Sequence, residues 1–203
     1  MVHVVSVTRN RKGIVRAILA GGIVLGVGAA ITLAAWNSSD FATGTFTAGT
    51  FAIEGSTDGS QYSNHASTGA ASLTFDVAAT NLSPNVTTYA PYAVRLTAAT
   101  TSNGTVTLQQ GTITGNLTGL SYTIVETTSM TCDAAAVTAG TALVPASTAL
   151  GTVLGTPTFP LTMGSPSGTA GSPQYLCVAV TAGSSLTQAQ SATATWQFTA
   201  TSS

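Results

Sequence analysis

The chain has 203 residues, of which only 5% are charged, where a soluble domain usually carries about 25%. Four of its five basic residues (Arg9, Arg11, Lys12, Arg16) fall in the first 16 positions, and beyond position 34 a single Arg, Arg95, stands against six acids, a formal charge of −5. Such a remainder has no basic groove to neutralise phosphates, which excludes nucleic-acid binding, and the ordinary apolar content does not suit a disordered chain.

The first element is a targeting segment. Arg9 to Arg16 make a positive n-region, and Ala17 to Ala35 carry no charge and one polar side chain, Thr32. This is the layout of a secretory signal peptide, with the basic end left on the cytoplasmic side. The apolar run is also long enough for a membrane anchor. Gly21, Gly22, Gly26 and Gly28 soften it, however, and Thr32-Leu33-Ala34 puts small residues where a signal peptidase needs them. The expectation is a signal helix over residues 1–34, with its h-region at 17–33, cut between Ala34 and Ala35. Kept uncut, it would be the chain's one link to a membrane. Removing 34 of the 203 residues leaves 169, one domain by length.

Little after position 50 shows a helical period, whereas strand alternation recurs. "SLTFDVAAT" sets Leu73, Phe75 and Val77 on one face, and "YAVRLTAAT" does the same with Tyr92, Val94 and Leu96. Asn103-Gly104 is a hairpin signal ahead of "TVTLQQ", with Val106 and Leu108 on one side. "LSYTIVET", "QYLCVAVT" and "ATATWQFTA" follow, the last placing Ala194, Trp196 and Phe198 together. The stretch "CDAAAVTAGTALVPASTALGT" has room for one turn of helix, but its Thr, Gly and Pro content reads rather as a loop with short strand pieces, and "TPTFPLTMGSPSGTAGSP" reads as an exposed loop. Short strands with polar alternate faces predict an all-β, antiparallel two-sheet β-sandwich over residues 49–203, preceded by a mature N-terminal segment at 35–48.

Cys132 and Cys177 are the only cysteines. In an exported chain they read as a disulfide, the alternative being two buried free thiols. No catalytic, cofactor or metal set stands out. His3 leaves with the signal, and His65 lies in a polar loop as the one base available to a Ser-His-Asp triad. No GxSxG elbow or HExxH pair occurs. Glu54 and Asp58 form a small acidic cluster without the spacing of a calcium loop. Sequons at Asn37, Asn85, Asn103 and Asn116 are expected by chance in a Ser/Thr-rich chain. The reading is therefore of a non-enzyme that needs no cofactor.

"RAILAGGIVLGVGAAITLAAWNSSDFATGTFTAGTFAIEGS" resembles the signal and mature start of exported proteins processed by SipW-type signal peptidases, the TasA/camelysin-like group of biofilm-fibre proteins. The shared grammar is the Gly-rich h-region, Thr32 to Asn37 and Asp40 at the cut, and Thr45-Phe46-Thr47-Ala48-Gly49-Thr50-Phe51-Ala52-Ile53 beyond it. "TNLSPNVTTYAPYAVRLTAA" is similar to the family's turn-strand unit, with Asn85 in place of a Gly. The resemblance implies a jelly-roll-like sandwich at the bacterial surface. It also implies that the segment freed by cleavage completes a neighbour's sheet. The family's metallopeptidase label is not carried over, because the His/Glu ligands are lacking.

Read this way, the chain is a secreted fibre or biofilm-matrix subunit that self-associates into filaments by β-strand donation, with Trp36, Phe41 and Phe46 as apolar anchors. The alternative is a monomeric exported cell-surface binding or adhesion module. Tyr62, Tyr89 and Tyr92 are scattered along the chain, which gives that alternative no aromatic platform.

Overall fold

The computed structural model describes residues 43–45, 47–65, 69–76, 82–116, 118–152 and 155–203. Ala34, Ala35, Trp36, Phe41 and Phe46, and with them the signal region and the cut, lie outside the described residues. The chain divides into two compact units, Met1–Phe46 and Thr47–Ser203. The described residues of the second form eight strands: β1 (Ile53–Ser56), β2 (Thr87–Leu96), β3 (Gly104–Gly115), β4 (Leu120–Thr127), β5 (Thr141–Ala149), β6 (Thr158–Leu161), β7 (Gln174–Ala182) and β8 (Ala192–Ser202). They form a five-stranded sheet, β1-β2-β7-β4-β5, and a three-stranded sheet, β6-β3-β8. Every strand pair is antiparallel, as the alternation required.

The strand order is that of a double Greek key, the jelly-roll arrangement, with one departure. A jelly roll places its first strand beside its last. Here β1 is paired with β2 in the other sheet, so the position beside β8 is not taken by any described strand.

The inward residues of the two sheets make one core. Val94 and Leu96 of β2, Val106 and Leu108 of β3, Tyr122 and Ile124 of β4, Phe159 and Leu161 of β6, and Leu176 and Val178 of β7 are all buried in it. Tyr92 stacks on Phe198 with ring centroids 5.3 Å apart, so one of the tyrosines that look scattered in sequence is a core residue.

The opposite face of the five-stranded sheet is covered as well. Ala93, Val125, Cys177 and Ala179 alternate with the core residues of their strands, yet all are buried. The helix α1 (Ala134–Ala139) packs on β4 and β7 above them. Cys177 is bonded to Cys132, just ahead of α1. A Cβ on Gly59 would lie 2.7 Å from Met130 Cγ, so the 57–65 loop also abuts this roof.

Four expectations are corrected. Asn103-Gly104 does not close a hairpin, because β2 and β3 belong to different sheets. The Asn103 side chain accepts from the Met163 N–H, and a Cβ on Gly104 would meet the Phe51 ring at 2.6 Å. The glycine thus serves close packing at a crossover. The stretch after Cys132 is not a loop. Asp133 caps α1 by accepting from the Ala136 N–H at 2.8 Å, and β5 follows directly. The Pro-rich stretch from Thr156 contains β6, whose Phe159 and Leu161 are buried between exposed Thr158 and Pro160. Finally, Ser72–Asp76 alternates in exposure as expected, and Leu73 and Phe75 pack on the core, but these residues join no ladder.

Candidate functional site

Among the described residues the sandwich has four edges, and three are guarded in the ways that stop strand edges from pairing at random. β1 has only four residues, and beyond it the N–H of Tyr89 on β2 is taken at 2.8 Å by the Asp76 carboxylate. β6 has four residues including Pro160. β5 is longer but carries Pro145, a left-handed Ser147 (φ 60) and two register shifts against β4. The fourth edge, β8, has eleven residues, "ATATWQFTATS", with no proline and no charge. It pairs with β3 alone.

The register fixes which atoms face this open edge. Ser203 donates to the Asn103 carbonyl and Asn116 to that of Ser191, so odd-numbered β8 residues carry the hydrogen bonds to β3. Even-numbered residues point their N–H and C=O groups the other way. The side chains of these same residues, Ala194, Trp196, Phe198 and Ala200, face the core. All four are only half-buried while they pack against it. The edge therefore offers a row of backbone donors and acceptors together with an incompletely covered apolar stripe.

Beneath it lies a polar cluster. Gln110 is directly opposite Trp196 in a non-hydrogen-bonded pair, where side chains are closest. The Trp196 ring is 5.7 Å from that of Tyr122 on β4. Gln110 Nε2 and Oε1, Trp196 Nε1 and Tyr122 Oη are all buried without a hydrogen-bond partner among the described residues. Burial pushes the Tyr122 hydroxyl pKa up, opposed by the nearby indole, but hydroxyl and indole do not reach hydrogen-bond geometry. Sequence reasoning missed this cluster. The alternation Val106, Leu108, Gln110 was the available indication, since it puts an amide on an apolar face.

The other sequence-derived residues are dispersed. Cys132 and Cys177 form the disulfide, which fits an oxidising, extracellular-type environment. Glu54 and Asp58 do not converge. Glu54 Oε1 is 2.6 Å from Arg95 Nε, and the Arg95 guanidinium lies 3.7 Å over the Tyr62 ring. Asp58 Oδ1 instead accepts from the Gln61 and Ser60 N–H groups and from Ser56 Oγ, each at 2.8 Å. His65 Nε2 is 3.0 Å from Ser63 Oγ on the exposed loop. Asn116 bonds its own Thr118 N–H, and Asn85 takes the left-handed φ of 65 that its place in a tight turn demands. A cleft of about 350 Å³ lies between the end of β4 and α1, lined by Glu126, Thr127, Thr131 and Thr141. Burial raises the Glu126 pKa there. Among the described residues no group of three or more His, Cys, Asp or Glu is placed to hold a metal ion, and no helix is long and apolar enough to cross a membrane.

The hydrogen bonds from Gln61, Ser60 and Ser56 hold the Asp58 pKa well below the usual carboxylate value. A depressed pKa in the folded state means stability that is present above the unfolded pKa of about 3.9. It fades as the pH falls below that toward the folded value. Asp58→Asn is therefore expected to lower the melting temperature at pH 7, with the gap from wild type narrowing as thermal melts are repeated below pH 4. A gap that does not depend on pH would contradict this.

Compared with known protein families and with curated protein sequences, the chain matches none.

Proposed function

We propose that the chain is a secreted structural subunit of extracellular fibres or biofilm matrix, that it is not an enzyme, and that it assembles by β-strand donation. After cleavage between Ala34 and Ala35, the new N-terminal segment of one copy adds to the open edge of β8 in the next. The observation that carries this reading is that edge: eleven residues, unguarded, with a half-buried apolar stripe, at the place where a jelly roll keeps its first strand. Main-chain bonds to the even-numbered residues of β8 supply affinity, and inward side chains supply register. The segment from Trp36 to Phe46 matches β8 in length, at eleven residues. Trp36 and Phe46 share a parity and so a strand face, while Phe41 falls on the other. Two of the three aromatic anchors thus act together. Such a contact is heterologous and need not close, and left open it propagates as a filament.

The test compares the secreted mature chain, its N-terminus read by mass spectrometry, with the same chain lacking residues 35–46. Filaments in negative stain are expected for the first alone. Monomers from both at high concentration would sink the proposal.

One observation favours the alternative of a cell-surface adhesion module. The outer face of the three-stranded sheet pairs Thr105 with Thr201, Thr107 with Thr199 and Gln109 with Gln197, an uncharged hydroxyl and amide surface suited to a neutral hydroxylated polymer. That reading takes over if the mature chain stays monomeric.

A further inference from the structure

We infer that Gln110, Trp196 and Tyr122 form a selectivity site, which admits to the β8 edge a strand bearing a hydrogen-bond acceptor on its inward face and disfavours a wholly apolar one. The inference rests on the assembly reading above. Its basis is the cluster of four buried polar atoms without partners. Tyr122 is only 1% exposed, so its hydroxyl has no recourse to bulk water. In a native core nearly all such atoms are paired, and a group of four contiguous exceptions calls for a missing partner.

The cluster is rich in donors. Trp196 Nε1 only donates, the Gln110 amide nitrogen donates twice, and the Tyr122 hydroxyl can donate once. Its surplus is of N–H and O–H groups, which an acceptor such as a carboxylate or amide oxygen satisfies. Position also favours an incoming strand. Trp196 is an even-numbered β8 residue whose backbone faces the open edge, so a strand paired there sets one inward side chain beside it, with Cβ atoms about 5 Å apart. That side chain enters the space above β4, where Tyr122 sits. In the chain's own N-terminal segment, Asp40 has the parity of Trp36 and Phe46 and is an acceptor. An aliphatic side chain at the same position would seal the four polar atoms in unpaired.

The experiment uses mature chains dissociated to subunits and three labelled peptides of residues 35–48: wild type, Asp40→Asn and Asp40→Leu. Subunits are expected to take up the Asp and Asn peptides with similar affinity and the Leu peptide about tenfold more weakly, the scale of one lost hydrogen bond. In Gln110→Met subunits the gap is expected to close while uptake persists. Their melting temperature should hold or rise, because the substitution removes two unpaired polar atoms. A purely structural glutamine would lower the melting temperature and leave the ranking of peptides unchanged. An equal preference in both subunits, as ordered waters filling the cluster would give, overturns the selectivity site alone. Failure of wild-type subunits to take up any peptide overturns the assembly reading with it.

Discussion

Ala200→Pro is expected to abolish end-to-end association of the mature chain while shifting its melting temperature by no more than a few degrees. The asymmetry follows from the register of β8. Thr199 and Thr201 carry the bonds to β3, as the pairs Thr107↔Thr199 and Thr105↔Thr201 require, and Ala200 has its N–H on the open side. Proline at 200 therefore removes no bond of the existing ladder. It takes one donor from the open edge and sets a ring in the path of an added strand. Its cost to the monomer is small, since edge strands tolerate proline and the alanine is only half-buried. Thr199→Pro is the internal control. It breaks a bond to β3 and should lower the melting temperature clearly. Sedimentation of both variants beside wild type, with thermal melts of the same samples, checks the pair. Filaments from Ala200→Pro at wild-type yield would place the assembly contact elsewhere.

The Cys132→Ala/Cys177→Ala double variant is expected to lose about 4 kcal/mol, the chain-entropy value for a loop of this length. For a domain of this size that corresponds to a fall of about 10 °C in melting temperature. The bond spans 45 residues and ties the segment ahead of α1 to β7, the central strand of the five-stranded sheet. Without it the roof over Ala93, Val125, Cys177 and Ala179 is held by packing alone. Calorimetry of the oxidised wild type against the double variant measures the loss. A difference near zero would mean that residual structure in the unfolded chain removes the entropy the missing link should release.

The fold class was legible because the chain writes its strands in period two. "YAVRL", "TVTLQ" and "ATATWQF" bury Val94, Val106 and Leu108 completely, and place Trp196 and Phe198 against the core, in the order their alternation gives. The disulfide was legible from chemistry, since the two cysteines of a chain read as exported have one pairing to make. Strand neighbours were not legible. Asn103-Gly104 carries the composition of a tight hairpin, yet β2 and β3 part into separate sheets, a decision made by what Phe51 and Met163 do around the turn rather than by the turn itself. Pro145 and Pro160 concealed β5 and β6, because proline weakens a strand reading everywhere except at an edge, and edge status is a property of the assembled sheet. The candidate site was hidden for the same reason. In sequence β8 looks no different from β7; only the pairing leaves one of its sides without a partner strand among the described residues. Gln110 was readable as an amide on an apolar face, but its significance needs Tyr122, which comes from the opposite sheet.

The guards on β1, β5 and β6 set the valence of the molecule as a monomer unit. In the proposed strand-donation assembly, with one segment to give and one edge to receive, each copy is bifunctional, and the polymer lengthens but neither branches nor widens by edge pairing. Growth is then of the step kind, with donors and acceptors equal in number and chain length set by the affinity of the contact and the subunit concentration. A copy lacking residues 35–46 keeps its β8 and loses its donor, so it can seat a neighbour's strand and offer nothing onward. Mixed with the intact mature chain, it is expected to act as a stopper, and at saturation mean filament length falls as the reciprocal of its share of the subunits.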